Sequence, residues 1–332
     1  MKTIDLLSVL GKVKPGIAAK NSIESMECFY FTGTDVITYN EIISVQHPFK
    51  TDFSMFIKAQ DLYNLASKLT EKEIKFQEKN GKLNVSCSTM KANLSAIYNP
   101  ETEEKINEVS KSLEKSDWKK LPENFQECVK FTIHTASSID SDGTLTCINI
   151  NGKDCVSSDN SRISHAILKS EMDSMFIKAS EINGLLNIEP THYSVAGSWI
   201  HFKNKVNCIF SIRKITGDYP DYLQFFEFDG KEIEFPKEVI EGIDLTSILV
   251  DTSIPIIKFK MSKGICILSV KSESGTIIHR SKITYKGEEI NFNINPNFLK
   301  EMIVHSSTIV IGKDKSRLET ENGFSLLTLF SS

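Results

Sequence analysis

The chain has 332 residues, of which 40% are hydrophobic and 25% are charged, and its formal net charge is −4. This composition is typical of a soluble globular protein, and the length exceeds what one compact core supports, so we expect about three domains of ordinary size. The negative net charge argues against a simple basic nucleic-acid binder, although positive charge can still be concentrated on one surface.

The first third of the chain predicts two helices, several strands and a linker. Apolar residues recur with helical spacing from Thr3 to Val13. β-Rich runs follow, and the strand Phe53 to Ala59 leads into a second helix over Gln60 to Leu69. Asn80-Gly81 between two alternating runs predicts a hairpin. Residues Asn99 to Lys120 are rich in Glu and Lys and poor in large apolar side chains, so we predict a linker there.

The rest of the chain repeats this order twice. Helices are predicted at Pro122 to Thr135 and Ser180 to Ile188, and then at Pro236 to Val250 and Pro296 to Val304. Between them the sequence predicts strands at Thr146 to Ile150, Asp154 to Ser157, Met175 to Ala179, Tyr193 to Ala196, Trp199 to Phe202, Val206 to Ile212, Ile256 to Met261, Ile265 to Val270, Thr276 to Thr284 and Glu289 to Ile294. Two helices and many antiparallel strands in each unit indicate an α+β architecture.

An internal repeat supports this division. The hexapeptide Ser54 to Ala59 recurs as Ser174 to Ala179, 120 residues later, and in both places a helix is predicted to follow. A third, weaker copy is present because Phe292 to Leu299 resembles Phe56 to Tyr63. Three copies of one module predict three repeated domains, which we place at residues 1–118, 119–228 and 229–332.

The sequence carries no motif of an enzyme or a cofactor site. It has no G-x-G-x-x-G, phosphate-binding loop, G-x-S-x-G or H-E-x-x-H motif, and its seven histidines show no metal-ligand spacing. Asp140-Ser-Asp-Gly143 lacks the rest of a calcium loop and is predicted to be a turn. We therefore expect no catalysis, cofactor or metal, although an active site assembled from distant residues stays an alternative.

The sequence also bears on location. No run of about 18 apolar residues occurs, which excludes a membrane-spanning helix. Asp5 and the lysines that follow it argue against a secretory signal. The seven cysteines form no C-x-x-C pair, so we expect reduced, mostly buried thiols and a cytoplasmic protein.

Four segments of the sequence resemble the bacterial and phage replicative sliding clamps, the β-subunit family of DNA polymerase III. They are Thr32 to Asp35, Val156 to Ile163, Thr216 to Tyr222 and Phe292 to Leu299. The third is similar to the family's G-x-[FY]-P-D-Y signature and is the most specific of the four. The segments follow the family's order and spacing over the whole chain. Departures include Asn160-Ser161 in place of the family's Gly-His, and a C-terminal strand without the family's Met-Pro-Met-Arg-Leu ending.

The resemblance implies a ring-forming, non-catalytic processivity factor with three DNA-clamp domains per chain. Such a clamp is a head-to-tail homodimer that encircles duplex DNA without reading its sequence and tethers the replicative DNA polymerase after a clamp loader has placed it. It would lie in the cytoplasm, at the nucleoid when loaded. The alternative is a degenerate clamp-fold adaptor that binds replication or transcription factors without encircling DNA.

The resemblance also implies three sets of site residues. The lysines expected to face DNA are Lys12, Lys14, Lys20, Lys68, Lys130 and Lys300. An apolar cleft between the second and third domains, expected to bind a partner's peptide, would be formed by Asp159, Arg162, Ile163, Phe226, Leu327, Thr328, Leu329 and Phe330. The dimer interface would contain Leu94, Ile248 and Leu249. The alternatives are that the lysines form an ordinary solvated face and that the apolar residues fill the core. The acidic residues Glu238, Glu241 and Asp244 on the third domain's first helix are unexpected for a surface facing phosphate.

Overall fold

The computed structural model describes residues 1–19, 23–70, 72–251, 253, 255–321 and 323–331. Its helices are α1 (Thr3–Val13), α2 (Ala59–Lys68), α3 (Pro100–Leu113), α4 (Phe125–Thr132), α5 (Ile182–Asn187), α6 (Leu223–Phe226), α7 (Lys237–Ser247) and α8 (Pro296–His305).

Its strands are β1 (Cys28–Phe31), β2 (Asp35–Tyr39), β3 (Ile43–Pro48), β4 (Met55–Lys58), β5 (Lys75–Lys79), β6 (Lys82–Ser86), β7 (Lys91–Ile97), β8 (Lys119–Lys120), β9 (Cys147–Ser158), β10 (Arg162–Lys178), β11 (His192–Ala196), β12 (Trp199–Lys203), β13 (Ile209–Arg213), β14 (Lys231–Glu234), β15 (Ile257–Ser262), β16 (Ile265–Ser272), β17 (Gly275–Lys282), β18 (Ile290–Ile294), β19 (Thr308–Ile311), β20 (Lys315–Glu319) and β21 (Phe324–Leu329). Among the residues that the structure describes, no helix is long and apolar enough to cross a membrane.

Contacts divide the chain into two compact units. The first unit contains Met1–Glu123 and Ser180–Thr216, and the second contains Asn124–Ala179 and Gly217–Ser332. The middle predicted domain is shared between the two units, because its strands pair with those of both neighbouring domains. The division into domains 1–118, 119–228 and 229–332 stays a prediction, and the predicted α+β class with antiparallel sheets is confirmed.

The first unit is built on one antiparallel sheet of eleven strands in the order β5-β6-β7-β4-β1-β2-β3-β13-β12-β11-β8. The pairing of β3 with β13 joins the first and second repeats within this sheet. The helix α1 has the predicted bounds and buries Leu6, Leu10 and Val13 fully. The predicted hairpin is also confirmed, since Asn80 and Gly81 have the positive φ angles, 54° and 68°, that a two-residue type I′ turn requires.

The predicted linker at Asn99 to Lys120 is wrong over most of its length, because helix α3 forms there. The Asn99 side chain accepts a hydrogen bond from the Thr102 backbone N–H at 2.9 Å and caps the helix, and a proline occupies its first position. Ile106 and Val109 lie on one face of α3 and pack into a buried cluster on the sheet that includes Trp199. A narrow apolar stripe in a charged segment is enough to dock an amphipathic helix.

The second unit contains a six-stranded sheet in the order β14-β19-β20-β21-β10-β9 and a four-stranded sheet in the order β17-β16-β15-β18. The strand β10 is 17 residues long and begins at Arg162, whereas the sequence predicted only its end. Its first half pairs with β9 on one side and with β21 on the other, which joins the second and third repeats. The Gly312 to Ser316 segment connects the hairpin β19–β20.

The cysteines are free thiols, and six of the seven are buried, as the sequence predicted. Burial raises the pKa of Cys28, Cys128, Cys155, Cys208 and Cys266 to about 12. Cys87 is the partly exposed one. The buried thiols are therefore protonated and inert, which leaves them a packing role.

Candidate functional site

An apolar cavity of about 150 Å³ lies in the second unit, beside the pairing of β10 with β21. We call it the β21 cleft. It is lined by Leu145, Ser158, Asn160, Ser161, Arg162, Ile163, Tyr219, Pro220, Asp221, Tyr222, Phe225, Leu327 and Leu329. Four of the eight residues predicted for the partner cleft, Arg162, Ile163, Leu327 and Leu329, are in this lining.

The floor of the β21 cleft is fixed by strand register. Ile163 pairs with Leu327, and Arg162 pairs with Thr328. The preceding turn is closed by the Asp159 carboxylate, which accepts hydrogen bonds from the backbone N–H groups of Ser161 and Arg162 at 3.0 and 2.8 Å. Asp159 thus shapes the rim without lining the cavity.

The wall of the cleft is an aromatic segment, residues 217–228, which we call the aromatic strap. Tyr219, Tyr222, Phe226 and Phe228 pack against the buried cluster of Val156, Ile163 and Leu327. The strap is held by two hydrogen bonds to its backbone. The Asp218 carbonyl accepts one from the Thr144 hydroxyl at 2.8 Å, and the Phe226 carbonyl accepts one from the Arg317 guanidinium. Burial raises the pKa of Tyr222 to about 12, so its phenol is neutral at physiological pH.

Arg162 is engaged within its own chain. Its guanidinium bonds the Asp159 carboxylate through Nε at 2.9 Å and Nη2 at 2.7 Å, and it bonds Glu301 through Nη1 at 2.6 Å. It also lies 4.0 Å from the centre of the Phe298 ring. Asp159 stands on the β9–β10 turn and Glu301 on α8, so Arg162 braces the cleft rim against that helix.

Replacing Arg162 by Ala should therefore destabilise the protein by about 2 kcal/mol, because two carboxylates lose their partner in a partly desolvated place. Arg162→Lys should lose part of this stability, since an ammonium cannot reproduce the bidentate contact. Urea unfolding measures both variants. Lys237→Ala, which breaks an exposed pair with Glu241, is the control and should change little. Equal stability of Arg162→Ala and wild type would contradict the bracing role.

The remaining predicted cleft residues lie outside the lining. Phe226 packs against the buried cluster of Val156, Ile163 and Leu327, and its neighbour Phe225 lines the cavity instead. Thr328 is fully buried on the other side of β21. Phe330 stacks on Phe292, with ring centres 4.3 Å apart, so it packs against the four-stranded sheet.

The predicted DNA-facing lysines differ in their surroundings. Lys68 on α2 and Lys130 on α4 are exposed, Lys12 is half-buried on α1, and the Lys14 ammonium lies 4.7 Å from the centre of the Tyr63 ring. The Lys300 ammonium is paired with Asp244 at 2.5 Å, which neutralises its charge locally. Lys20 lies outside the described residues.

The predicted interface residues differ in their exposure. Leu94 is half-buried on β7, opposite Leu83. Ile248, just after α7, is 72% exposed, and Leu249 is half-buried. This exposure leaves Ile248 accessible to a partner, although a single exposed aliphatic side chain is also common on ordinary protein surfaces.

The sequence also missed cleft residues. Tyr219, Tyr222 and Phe225 form much of the wall. The tyrosine-rich signature at Thr216 to Tyr222 was the signal for this segment, but the periodicity of apolar residues does not show which distant strand the segment packs against. Leu145 gave no signal, because it lies in an irregular 3₁₀ segment, Asp140–Thr146.

The chain matches neither a protein-family model nor a curated protein. Solved structures do match over its whole length. The DNA polymerase III subunit β sliding clamp of Bartonella birtlesii, solved with griselimycin, has a TM-score of 0.86 at 14% identity, covering 100% of this chain and 98% of that one. The β subunit of Thermotoga maritima has a TM-score of 0.83 at 13% identity, with the same coverage. The β chain of Streptococcus pneumoniae has 0.82 at 18% identity, again with that coverage. At these identities the similarity establishes the fold, which is that of the sliding clamps.

Proposed function

We propose that this protein is a DNA sliding clamp. Two chains join head to tail, encircle duplex DNA and tether a DNA polymerase, and a clamp loader opens the ring. The observation that carries the proposal is the clamp fold over the whole chain, with TM-scores from 0.81 to 0.86 among the neighbours. A ring holds DNA topologically and needs little affinity per contact, which is compatible with a net charge of −4.

Two free strand edges support head-to-tail closure. Within the chain, one strand of a repeat pairs with the last strand of the next repeat, as β3 does with β13 and β10 with β21. The corresponding strand of the last repeat is β17, which follows β16 as β3 follows β2, and among the described residues it pairs with β16 and has a free outer edge. In the part of the chain that the structure describes, the last strand of the first repeat, β7, pairs with β4 through its final two residues, and its earlier residues have no partner on that side. Free edges of this kind favour pairing with another chain.

The repeat also predicts the register of that pairing. Ile163 is the first residue of β10 that pairs with β9, and Gly275 is the first residue of β17 that pairs with β16. The two residues are therefore equivalent in the repeat. Leu327 is the third residue of β21 that pairs with β20, counted from the hairpin turn, and Asn93 is likewise the third residue of β7 that pairs with β6. Because Ile163 pairs with Leu327, we expect Gly275 opposite Asn93 of the partner subunit, and therefore Thr276 opposite Ala92 of the partner subunit.

A cysteine pair tests this register. Thr276→Cys with Ala92→Cys, in a Cys87→Ser background, should form a disulfide-linked dimer on mild oxidation, because opposed residues of antiparallel strands have Cα atoms about 5 Å apart. Thr276→Cys with Ser95→Cys is the matched control. Its cysteines would be about 10 Å apart along the strand and should not cross-link. Equal cross-linking of the two pairs, or none in a proven dimer, would contradict the register.

The salt dependence of DNA binding tests the lysines. The variant with Lys14, Lys68 and Lys130 changed to Gln should bind a short duplex more weakly, and the slope of log K against log salt should fall by roughly one for each phosphate that is no longer neutralised. Fluorescence anisotropy over a range of salt measures it. Lys300→Gln is the control and should change the slope less than the other replacements do on average, because Asp244 already pairs with that lysine. An unchanged slope in the triple variant would remove these residues from the DNA surface.

A further inference from the structure

One face of the four-stranded sheet combines exposed cations with exposed aliphatic residues. The side chains on it are Lys258, Lys260, Ile265, Ile267, Ser269, Lys271, Thr276, Ile278, Arg280, Lys282, Asn291 and Asn293. Register puts Arg280, Ile267, Lys260 and Asn291 in one row, and Ile278, Ser269, Lys258 and Asn293 in the next. We call this surface the cationic sheet face. The opposite face carries the buried residues, such as Phe259 and Leu268.

Four of the five cations on this face have no carboxylate partner among the described residues. The strands β15 to β18 contain no Asp or Glu, and five basic side chains on the face are exposed. Lys260 has a carboxylate partner, Glu289 at 2.9 Å. In the described part of the chain, Lys258, Lys271, Arg280 and Lys282 have no salt bridge. Like charges held on one flat surface repel each other, so an anionic partner is favoured there.

Aliphatic residues lie between these cations. Ile278 is 57% exposed and Ile265 is 46% exposed, and both share the face with Arg280 and Lys282. Parts of the other two sheets are covered, since helix α3 packs over β1, β2, β4 and β12 and the aromatic strap packs over β9, β10 and β21. No described segment covers the cationic sheet face, so its isoleucines are available for contact.

We propose that the cationic sheet face binds an acidic segment of a partner protein in which aliphatic residues are interspersed among carboxylates. Charge complementarity steers such a segment to the face, and the isoleucines give it apolar anchors. The face has no outward aromatic residue. Single-stranded nucleic acid needs aromatic platforms for its bases, and membrane surfaces select aromatic anchors, so both are disfavoured as occupants.

A short synthetic peptide of Glu, Asp, Leu and Ile, labelled with fluorescein, is the probe. The wild-type chain should bind it in a salt-dependent manner. Lys258→Ser with Arg280→Ser and Lys282→Ser should weaken binding at least about tenfold, while thermal unfolding stays unchanged because all three side chains are exposed. Lys14→Ser with Lys68→Ser and Lys130→Ser removes the same charge elsewhere and should change affinity less than about twofold. Ile265→Ser with Ile278→Ser should weaken binding without altering its salt dependence.

Three outcomes would overturn the proposal. They are no binding by the wild-type chain, equal loss in the two triple variants, and tighter binding of oligo-dT that is lost only in the sheet-face variant. The last would assign the face to nucleic acid. All residues tested lie on one sheet of one chain, so the result does not depend on ring formation or on encirclement of DNA.

Discussion

The double variant Tyr222→Ala and Leu329→Ser should lose at least about a hundredfold in affinity for a partner peptide, because both side chains line the β21 cleft and apolar anchors dominate such interfaces. Peptides of the Gln-Leu-x-Leu-Phe type, the common type for the family that the sequence resembles, are the first probes, and isothermal titration calorimetry measures them. Because the C-terminal strand departs from the family's ending, we expect the cognate peptide to differ from this type. Leu329 is 38% exposed, so its replacement should leave the fold intact. Leu327 is 1% exposed, and truncating it would instead destabilise the core by about 2–5 kcal/mol.

Leu223→Ser is the matched control for this prediction. Leu223 lies on the aromatic strap, is 54% exposed and is not in the cleft lining, so its replacement should leave peptide affinity unchanged. A point variant is sharper than deletion of residues 329–332. The deletion would also remove the backbone hydrogen bond from Phe330 to Asp314 and the stacking of Phe330 on Phe292. Peptide binding that survives in the double variant, or that is absent from the wild-type chain, would show that the cleft is wrongly placed.

Replacing Ile248 by Asp should convert the proposed dimer into a monomer at micromolar concentration. Ile248 is 72% exposed, and an unpaired carboxylate buried at an interface costs several kcal/mol, which corresponds to at least about a hundredfold in the dissociation constant. Sedimentation velocity measures the change. Val304→Asp on α8 is the control, because Val304 is 81% exposed and is not predicted to lie at the interface. A dimer of undiminished stability in Ile248→Asp would exclude this part of the proposed interface.

The fold could be predicted from the sequence wherever local pattern and repeat agree. The bounds of α1 and the Asn80-Gly81 turn follow from apolar spacing and turn chemistry. Helix α3 was missed although its signals are present, namely Asn99 as cap, Pro100 at the first position and a stripe at Ile106 and Val109. The high proportion of charged residues in this segment indicated a linker, and these three short helix signals were given less weight. The long strand β10 was missed because polar residues interrupt its alternation near Lys169 to Asp173.

The site was predictable only in part, for physical reasons. Ile163 and Leu327 belong to the same cleft because β10 pairs with β21, which no local pattern reveals. Lys300 on α8 pairs with Asp244 on α7. The number of lysines in the sequence therefore overestimates the positive charge that α8 can offer to DNA. Arg162 was predicted as a residue of the cleft, and its contacts with Asp159, Glu301 and Phe298 could not be read from the sequence. Long-range contacts of this kind decide which side chains remain free to bind.

Topological retention on DNA tests directly whether the protein encircles duplex DNA. The Thr276→Cys, Ala92→Cys chain, in the Cys87→Ser background, is diluted until it dissociates, mixed in reduced form with nicked circular or linear duplex, and then oxidised. High salt removes electrostatic binding before gel filtration. If the protein encircles DNA, cross-linked protein stays with circular DNA, leaves linear DNA, and is released from the circle by cutting it or by reducing the disulfide. Cross-linked dimers that form in equal yield but leave the circular DNA, or stay equally on both forms, would contradict encirclement.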